Sequence, residues 1–254
     1  AEPIYVPLVP PAFSFNPEVL EDAFRQPGVK ALILCNPSNP SGKVFTREEL
    51  TIIADLAKKY DLYVITDEVY EHILYKPHEH VYMATLPGMR ERTIICSSLS
   101  KTYSITGWRI GYVIASPDIT ERVKKVHDFL TIGAAAPLME EVVVGLNFGD
   151  EYYDDLQPHY THMKELFCGG LRNIGLSFVE PQGAYYVMVD ISEFGYGNDY
   201  DFAVDLARKV GVGSVPGSSF FKEDVHDYVR FHFVKKDETL KAALDRMAEI
   251  RNKM

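Results

Sequence analysis

The chain has 254 residues, of which 46% are hydrophobic and 24% are charged, and its formal net charge at pH 7 is −10. This composition excludes a largely disordered chain, because disorder requires few apolar residues. An acidic chain without a basic run suits neither nucleic acid nor an anionic membrane surface, and no apolar run approaches the roughly 18 residues of a membrane-spanning helix. We therefore expect neither kind of partner.

The cysteine pattern predicts free thiols. The three cysteines, Cys35, Cys96 and Cys168, lie far apart in the sequence. An odd, sparse count argues against a disulfide scaffold, and without a C-x-x-C pair we expect no metal site. Cys35 and Cys96 lie in apolar, strand-like runs, which predicts buried thiols in a reducing cytoplasm.

Strands and helices alternate in the first half of the chain. Four apolar runs are predicted strands, at residues 31–35, 62–66, 93–96 and 110–115. Between the first two, Thr46 and Glu49 form a capping-box pattern that begins a helix. This alternation predicts an α/β fold with a mostly parallel sheet.

The second half is predicted to be α+β. Beyond Pro117, Ile119, Val123, Val126 and Leu130 share one helical face. Further predicted helices cover residues 137–148, 151–173, 199–210 and 237–253, and predicted strands cover 184–190 and 228–234. We place a domain boundary near residue 150, which gives domains of residues 1–150 and 151–254.

Polar side chains follow three of the predicted strands. Ligands of open α/β sheets bind beyond the carboxyl ends of the strands, and right-handed crossovers bring those ends to one edge. The groups are residues 36–39, 67–70 and 97–101. Lys101 among hydroxyls is a candidate Schiff-base amine, and a nearby carboxylate could keep a pyridine nitrogen protonated.

Each of these groups also has a purely structural interpretation. The segment 36–42 could be only a double turn, and Asp67 and Glu68 could cap a helix. Lys101 could be an ordinary solvated lysine, and Arg109 could belong to a structural ion pair. These interpretations weaken because all the groups occur in order, each at a strand end.

The motifs resemble those of a known family. The run SLSKTYSITGWRIG at residues 98–111 is similar to the lysine motif of pyridoxal-phosphate-dependent aminotransferases of class I/II, fold type I. The runs NPSNPSG and DEVY, at residues 36–42 and 67–70, match two further signatures of that family in the same order. Residues 181–186, 215–218 and 229–231 resemble its small-domain motifs, so the resemblance covers essentially the whole chain.

The resemblance implies roles for the reacting groups. Lys101 would form the aldimine with the cofactor aldehyde and later carry the proton between the substrate Cα and the cofactor C4′. Asp67 would pair with the protonated pyridine nitrogen, which makes the ring an electron sink. Tyr70 would hydrogen-bond the phenolate oxygen of the ring and lower the pKa of the aldimine.

The resemblance also implies the binding residues. Asn39 would share the phenolate oxygen with Tyr70 and help to bind the substrate. Ser98 and Arg109 would bind the cofactor phosphate, and Arg230 would bind the substrate α-carboxylate through its forked donors. Ser100 would supply no more than a supporting hydrogen bond.

The resemblance has consequences for the architecture. Residues 1–150 would be the C-terminal part of the cofactor-binding large domain, and residues 151–254 the small domain. The chain would be N-terminally truncated, without the turn that cradles the phosphate and the ring that stacks on the pyridine. Its large-domain sheet would lack strands, which leaves an edge exposed. Active sites in this family form between the subunits of a homodimer.

The function implied is transamination between an amino acid and a 2-oxo acid. The sequence around Lys101 is most similar to the branch that handles aromatic amino acids, methionine, glutamine or kynurenine. C–S lyases and cyclopropane-carboxylate synthases of the same family remain alternatives, as does a non-catalytic fragment. Ser98 and Lys101 also match the S-x-x-K motif of penicillin-binding proteins, but S-D-N and K-T-G triplets are absent from the sequence.

Overall fold

The computed structural model describes all 254 residues and divides them into two compact units. The first, here called the parallel-sheet unit, comprises Asn16–Pro37 and Val44–Leu156. The second, the antiparallel-sheet unit, comprises Ala1–Phe15, Ser38–Lys43 and Gln157–Met254. The assignment of residues 1–150 and 151–254 to a large and a small domain stays a prediction.

The parallel-sheet unit is built on four strands in the order β1-β2-β3-β4. The first three are parallel to one another, and the fourth runs antiparallel to the third. Their bounds are β1 Ala31–Cys35, β2 Tyr63–Asp67, β3 Thr93–Ser98 and β4 Gly111–Ile114. The predicted α/β fold with a mostly parallel sheet is confirmed.

Five helices belong to this unit: α1 Pro17–Arg25, α2 Arg47–Lys59, α3 Leu99–Thr102, α4 Pro117–Leu130 and α5 Ala136–Leu146. The capping box of α2 forms as predicted, because Thr46 Oγ1 accepts the Glu49 N–H and Glu49 Oε2 accepts the Thr46 N–H. Helix α1 was not predicted, although its signal is present in the sequence. Asn16 caps that helix by accepting the Glu18 N–H, and proline occupies the first turn.

One face of the parallel sheet is buried and the other is largely open. Leu34 and Val64 on the first face are buried, whereas Ile33 on the second is 76% exposed. Cys35 and Cys96 share the face of Ile33 and are only half-buried. The prediction that both are buried is therefore wrong. The apolar face of α4 is exposed as well, with Leu130 at 79%.

The antiparallel-sheet unit has the strand order β5-β6-β8-β7, with every neighbouring pair antiparallel. Helix α6, Asp150–Ile174, contains the division between the units, after Leu156. The other elements are β5 Phe178–Val179, β6 Tyr186–Asp190, α7 Asp199–Asp205, a π-helical turn Leu206–Val210, β7 Val215–Pro216, β8 Tyr228–His232, α8 Asp237–Met247 and α9 Ile250–Lys253.

The core of this unit contains the apolar positions that the sequence predicted. Met163, Phe167 and Leu171 of α6 and Leu240 and Met247 of α8 are buried. The single helix predicted at residues 237–253 is two helices, α8 and α9, interrupted at residues 248–249. No helix of either unit combines the length and the apolar character that a membrane crossing requires.

Candidate active site

Two carboxylates in different environments lie at the end of β2: Asp67 is its last residue and Glu68 follows it. Asp67 is exposed, and its Oδ1 accepts the Val69 N–H at 3.3 Å. Glu68 is 1% exposed, and its Oε2 lies 3.0 Å from His80 Nε2. Successive side chains of a strand point to opposite faces, so only the first carboxylate lies on the open face. Asp67 is therefore available to a ligand, whereas Glu68 is held by His80.

Tyr70 lies in the turn that follows β2. Its side chain is buried, and its carbonyl accepts the Ile73 N–H at 2.8 Å. The turn holds the Tyr70 backbone three residues beyond Asp67. The predicted phenol is thus close in sequence to the exposed carboxylate and shielded from solvent.

Ser98 and Lys101 lie at the end of β3. Ser98 Oγ donates to the Ile110 carbonyl at 2.9 Å, lies 2.6 Å from Ser100 Oγ and accepts the Ser100 N–H at 3.1 Å. Ser100 thus makes the supporting hydrogen bonds expected of it. Lys101, on the short helix α3, is half-buried, and its Nζ lies 3.4 Å from Thr106 Oγ1. That contact is long for a hydrogen bond.

Arg109 occupies the corner between β3 and β4. Its backbone is left-handed, with φ 58° and ψ 44°, a conformation that costs energy in a residue other than glycine and recurs at functional sites. The guanidinium is exposed, and Nη1 donates to the Thr106 carbonyl at 2.9 Å. Position 111 requires glycine, because a Cβ there would lie 2.7 Å from the Ser97 carbonyl oxygen. The two strands approach closely at Gly111, and this approach fixes the position of the backbone at Arg109, two residues earlier.

Four of the predicted residues therefore meet one edge of the parallel sheet. Asp67 pairs in register with Cys96, two residues before Ser98, and β2 and β3 are parallel. Lys101 and Arg109 lie between β3 and β4, whose register pairs Ser98 with Gly111. The carboxyl ends of parallel strands are where ligands of open α/β sheets bind.

Asn39 and Arg230 meet in the antiparallel-sheet unit. Arg230 Nη1 donates to Asn39 Oδ1 at 2.6 Å. The guanidinium carbon also lies 4.3 Å from the centre of the Tyr186 ring and 4.5 Å from that of the Phe220 ring. Cations over aromatic faces are attracted by the ring quadrupole, so the two rings and the amide fix the direction of the guanidinium.

Tyr186 and Phe220 were not among the site residues predicted from the sequence. A signal existed for Tyr186, because it lies on β6 diagonally from Arg230 in the antiparallel register, which pairs Tyr186 with His232 and Met188 with Arg230. That signal can be used only when the pairing of β6 with β8 is already known. Phe220 belongs to a turn whose packing no local pattern predicts.

A second group of residues was also missed. The Glu71 carboxylate accepts three hydroxyl donors, from Tyr82 at 2.7 Å, Ser97 at 3.2 Å and Tyr112 at 3.1 Å. Burial and the Glu71 charge raise the pKa of Tyr82, so its phenol stays protonated and donates. The ligand atoms of Glu68, Glu71 and His80 lie within 4.8 Å of one another. Since hydroxyls occupy Glu71 and His80 pairs with Glu68, we interpret the group as a structural network.

Comparison with known proteins gives a consistent family. Residues 1–247 match the family described as Aminotransferase class I and II. Kynurenine–oxoglutarate transaminase 3 of Rattus norvegicus is 35% identical over an alignment of 251 residues, and the alignment covers 91% of this chain and 55% of that protein. The N-succinyldiaminopimelate aminotransferase structure from Mycobacterium tuberculosis superposes with a TM-score of 0.91 at 34% identity, covering 96% of this chain and 65% of that one.

A further solved structure is similar over the same region. YbdL from Escherichia coli, whose structure is described with a methionine aminotransferase function, has a TM-score of 0.90 at 30% identity. The superposition covers 95% of this chain and 64% of YbdL. The chain thus spans between about half and two thirds of the length of these relatives.

Proposed function

The chain belongs to the class I and II aminotransferases, and we propose that it carries the reacting lysine and the carboxylate-binding arginine of a transaminase. The family is pyridoxal-phosphate-dependent and has fold type I, to which the mixed, mostly parallel sheet conforms. One observation carries the proposal. Lys101 lies three residues beyond the end of β3, and β3 pairs in parallel with β2, which ends in the exposed carboxylate of Asp67.

The side chains at this sheet edge fit pyridoxal phosphate by their chemistry. The group has a basic ring nitrogen, a phenolate oxygen, an aldehyde and a phosphate. The edge offers a carboxylate, a buried phenol, a half-buried amine, and a hydroxyl near an exposed guanidinium. When bound, the cofactor supplies an aldehyde that reacts with amines and a ring that accepts electrons.

Asp67 holds a proton on the ring nitrogen. An anionic partner favours the protonated form of a basic nitrogen. The exposed carboxylate accepts only a long hydrogen bond from Val69, so its lone pairs remain available for this contact. Replacing the carboxylate with an amide would remove the charge that keeps the nitrogen protonated.

Lys101 moves the proton. With the cofactor bound, the Lys101 amine would hold it until the substrate amine takes its place. The released amine would then carry the proton between the substrate Cα and the cofactor C4′.

Arg109 and Ser98 bind the phosphate, and Tyr70 and Asn39 hydrogen-bond the phenolate oxygen. A guanidinium matches a phosphate through its planar fork of donors. The corner between β3 and β4 supports this role, because it fixes both residues through hydrogen bonds to the backbone. Burial of Tyr70 supports a hydrogen bond that is shielded from water.

Arg230 binds the substrate α-carboxylate, with Asn39 as its partner. The amide oxygen of Asn39 uses one N–H of the guanidinium, and the rings of Tyr186 and Phe220 lie against the group. A guanidinium whose direction is fixed loses less entropy when it binds a carboxylate.

The substrates are an amino acid of the aromatic, methionine, glutamine or kynurenine type and a 2-oxo acid. The relatives support this choice, since one is named a kynurenine–oxoglutarate transaminase and another is described as a methionine aminotransferase. The sequence around Lys101 points to the same branch.

The active form is a cytoplasmic homodimer. An exposed apolar surface on α4, α5 and their connection supports pairing, with Phe129 at 91% and Ile132 at 86% exposure. Large exposed apolar patches mark interaction sites. Three free thiols support a reducing compartment.

Exchange of amino groups tests the function. The chain is loaded with pyridoxal phosphate and given kynurenine, methionine or phenylalanine with 2-oxoglutarate, and formation of glutamate and the new oxo acid is measured. We expect both products from the wild type and neither from Lys101→Ala, whereas the exposed-lysine control Lys124→Ala keeps the wild-type rate. Ammonia and thiol in place of glutamate would instead indicate a lyase.

A further inference from the structure

The antiparallel-sheet unit contains a buried carboxylate that lies outside the candidate active site. Asp199, the first residue of α7, is 0% exposed. Its Oδ2 accepts the Ser218 N–H at 2.6 Å, and its Oδ1 lies 3.0 Å from His226 Nδ1. On its other side, His226 Nε2 lies 2.7 Å from Asp224 Oδ1, whose side chain is 95% exposed.

The electrostatics agree with an ion pair. Hydrogen bonds to Asp199 and then to Asp224 raise the pKa of His226 above its ordinary value. Burial works against the charge of Asp199, but its hydrogen bonds with His226 and Ser218 hold its pKa below the ordinary value. A buried carboxylate with these partners is costly to disturb, because loss of either leaves a charge poorly satisfied.

A short turn, Gly217–Phe220, is fixed at two points, and the first is the hydrogen bond from the Ser218 N–H to Asp199. The other point is Gly217, where a Cβ would lie 2.5 Å from the Tyr228 carbonyl oxygen of β8. Only glycine permits this approach of the turn to the strand. The turn is thus held to α7 at Ser218 and lies directly against β8 at Gly217.

The same turn places Phe220 against Arg230. Phe220 is the last residue of the turn and is 36% exposed. Its ring centre lies 4.5 Å from the Arg230 guanidinium carbon, and Arg230 follows Tyr228 by two residues on β8. Movement of the turn would therefore move the ring away from the guanidinium.

We propose that Asp199, through its contacts with His226 and Ser218, is a positioning residue that holds Phe220 against the guanidinium of Arg230. The ligand of that guanidinium, a substrate carboxylate, rests on the proposed function. The positioning itself rests on the contacts within this unit, so each can fail without the other.

The test measures the accessibility of Arg230 in the whole chain without cofactor or substrate. Phenylglyoxal modifies guanidinium groups, and peptide mass mapping gives the rate at each arginine. We expect Phe220→Leu, Asp199→Asn and His226→Gln each to raise the Arg230 rate at least threefold. Asp224→Asn is the matched control, because it removes the exposed carboxylate on the same imidazole, and we expect no change.

Arg251 reports whether the unit remains folded, since it is held by Ile174, Gly175 and Glu193. Its rate should stay constant in every variant. If Asp199→Asn unfolds the unit and Arg251 becomes reactive, the Arg230 rate in His226→Gln is the test of the proposal instead. A faster Arg230 in Phe220→Leu with no change in His226→Gln overturns the proposal, as does an equal increase in Asp224→Asn.

A second measurement separates the positioning from the function. In the loaded enzyme, we expect His226→Gln to raise KM for the amino acid severalfold, with kcat and cofactor absorbance near wild-type values. A raised Arg230 rate with unchanged KM would keep the positioning and contradict the assignment of Arg230 to the substrate carboxylate. An unchanged rate would contradict the positioning whatever the activity.

Discussion

Arg230 Nη1 and Asn39 Oδ1 are 2.6 Å apart although 191 residues separate them in the sequence. The segment Ser38–Lys43 belongs to the same compact unit as β8, so a turn from the first part of the chain supplies the partner of the late arginine. A neutral amide oxygen leaves the positive charge of the guanidinium uncompensated. The contact with Asn39 therefore orients the Arg230 guanidinium while leaving its charge available to an anionic ligand.

The first prediction concerns this arginine. Arg230→Lys keeps the charge but loses the fork that binds a carboxylate through two donors. Hydrogen bonds to charged groups contribute about 1.5–3 kcal/mol, so KM for the amino acid should rise about 10- to 100-fold, with a smaller change in kcat. Steady-state kinetics measure this, with Arg208→Lys at an exposed position of the same unit as the control. An unchanged KM would remove Arg230 from the substrate site.

The capping box of α2 predicts a stability change without a change in chemistry. Thr46→Ala removes the side chain that accepts the Glu49 N–H and should lower the free energy of unfolding by about 0.5–2 kcal/mol. Urea denaturation followed by circular dichroism measures the loss. Thr51→Ala is the matched control, since Thr51 Oγ1 only bonds the Arg47 carbonyl within the same helix. Equal losses in the two variants would show that the cap does not stabilise α2.

The Glu71 network predicts a second loss of stability. Glu71→Gln replaces one carboxylate oxygen by an amide donor, which leaves hydroxyls of Tyr82, Ser97 or Tyr112 without an acceptor. Leaving a buried donor unsatisfied costs about 1–3 kcal/mol. Chemical denaturation should therefore show a lower midpoint than for the exposed control Glu121→Gln. A midpoint equal to that of the control would mean that solvent replaces the lost acceptor.

The Asp199–His226 pair predicts a pH window. The pKa of His226 is raised above 6.5, so its contribution to stability is complete below 6.5 and is lost as the pH rises through the folded value. The pKa of Asp199 is lowered below 3.8, so its contribution is present above 3.8 and is lost as the pH falls through the folded value. The stability difference between wild type and His226→Gln should be largest between 3.8 and 6.5 and shrink in alkaline solution.

Denaturation curves at a series of pH values measure that window. Asp224 also faces the imidazole of His226, but its carboxylate is exposed and its charge is screened by solvent. In the Asp224→Asn background, the loss of stability caused by His226→Gln should therefore remain mostly unchanged. A difference that grows with rising pH would mean that His226 is neutral in the folded chain.

Local patterns predicted the elements whose signals are short-range. The apolar run at β1 and the capping box of α2 needed only neighbouring residues, and both occur where predicted. The lysine and the carboxylate at strand ends could be found because the ends of parallel strands share one edge. The ring partners of Arg230 could not, because they depend on the register of β6 with β8 and on the packing of the turn at Gly217.

Burial was harder to predict than secondary structure. The face formed by Val126 and Leu130 of α4 has helical periodicity, yet 59% of Val126 is exposed. Periodicity reports that a face is apolar but not what covers it. The half-buried thiols of Cys35 and Cys96 have the same cause, since an apolar strand does not reveal which of its faces is open.

The central claim is that Lys101 is the residue that holds the cofactor. Its most direct test is incubation of the chain with pyridoxal phosphate, reduction with borohydride and peptide mapping, with Lys101→Ala and Lys124→Ala run in parallel. We expect a visible absorption band and a single pyridoxyl label on Lys101, both lost in Lys101→Ala and retained in Lys124→Ala. Label spread over exposed lysines, or an undiminished band in Lys101→Ala, would contradict it.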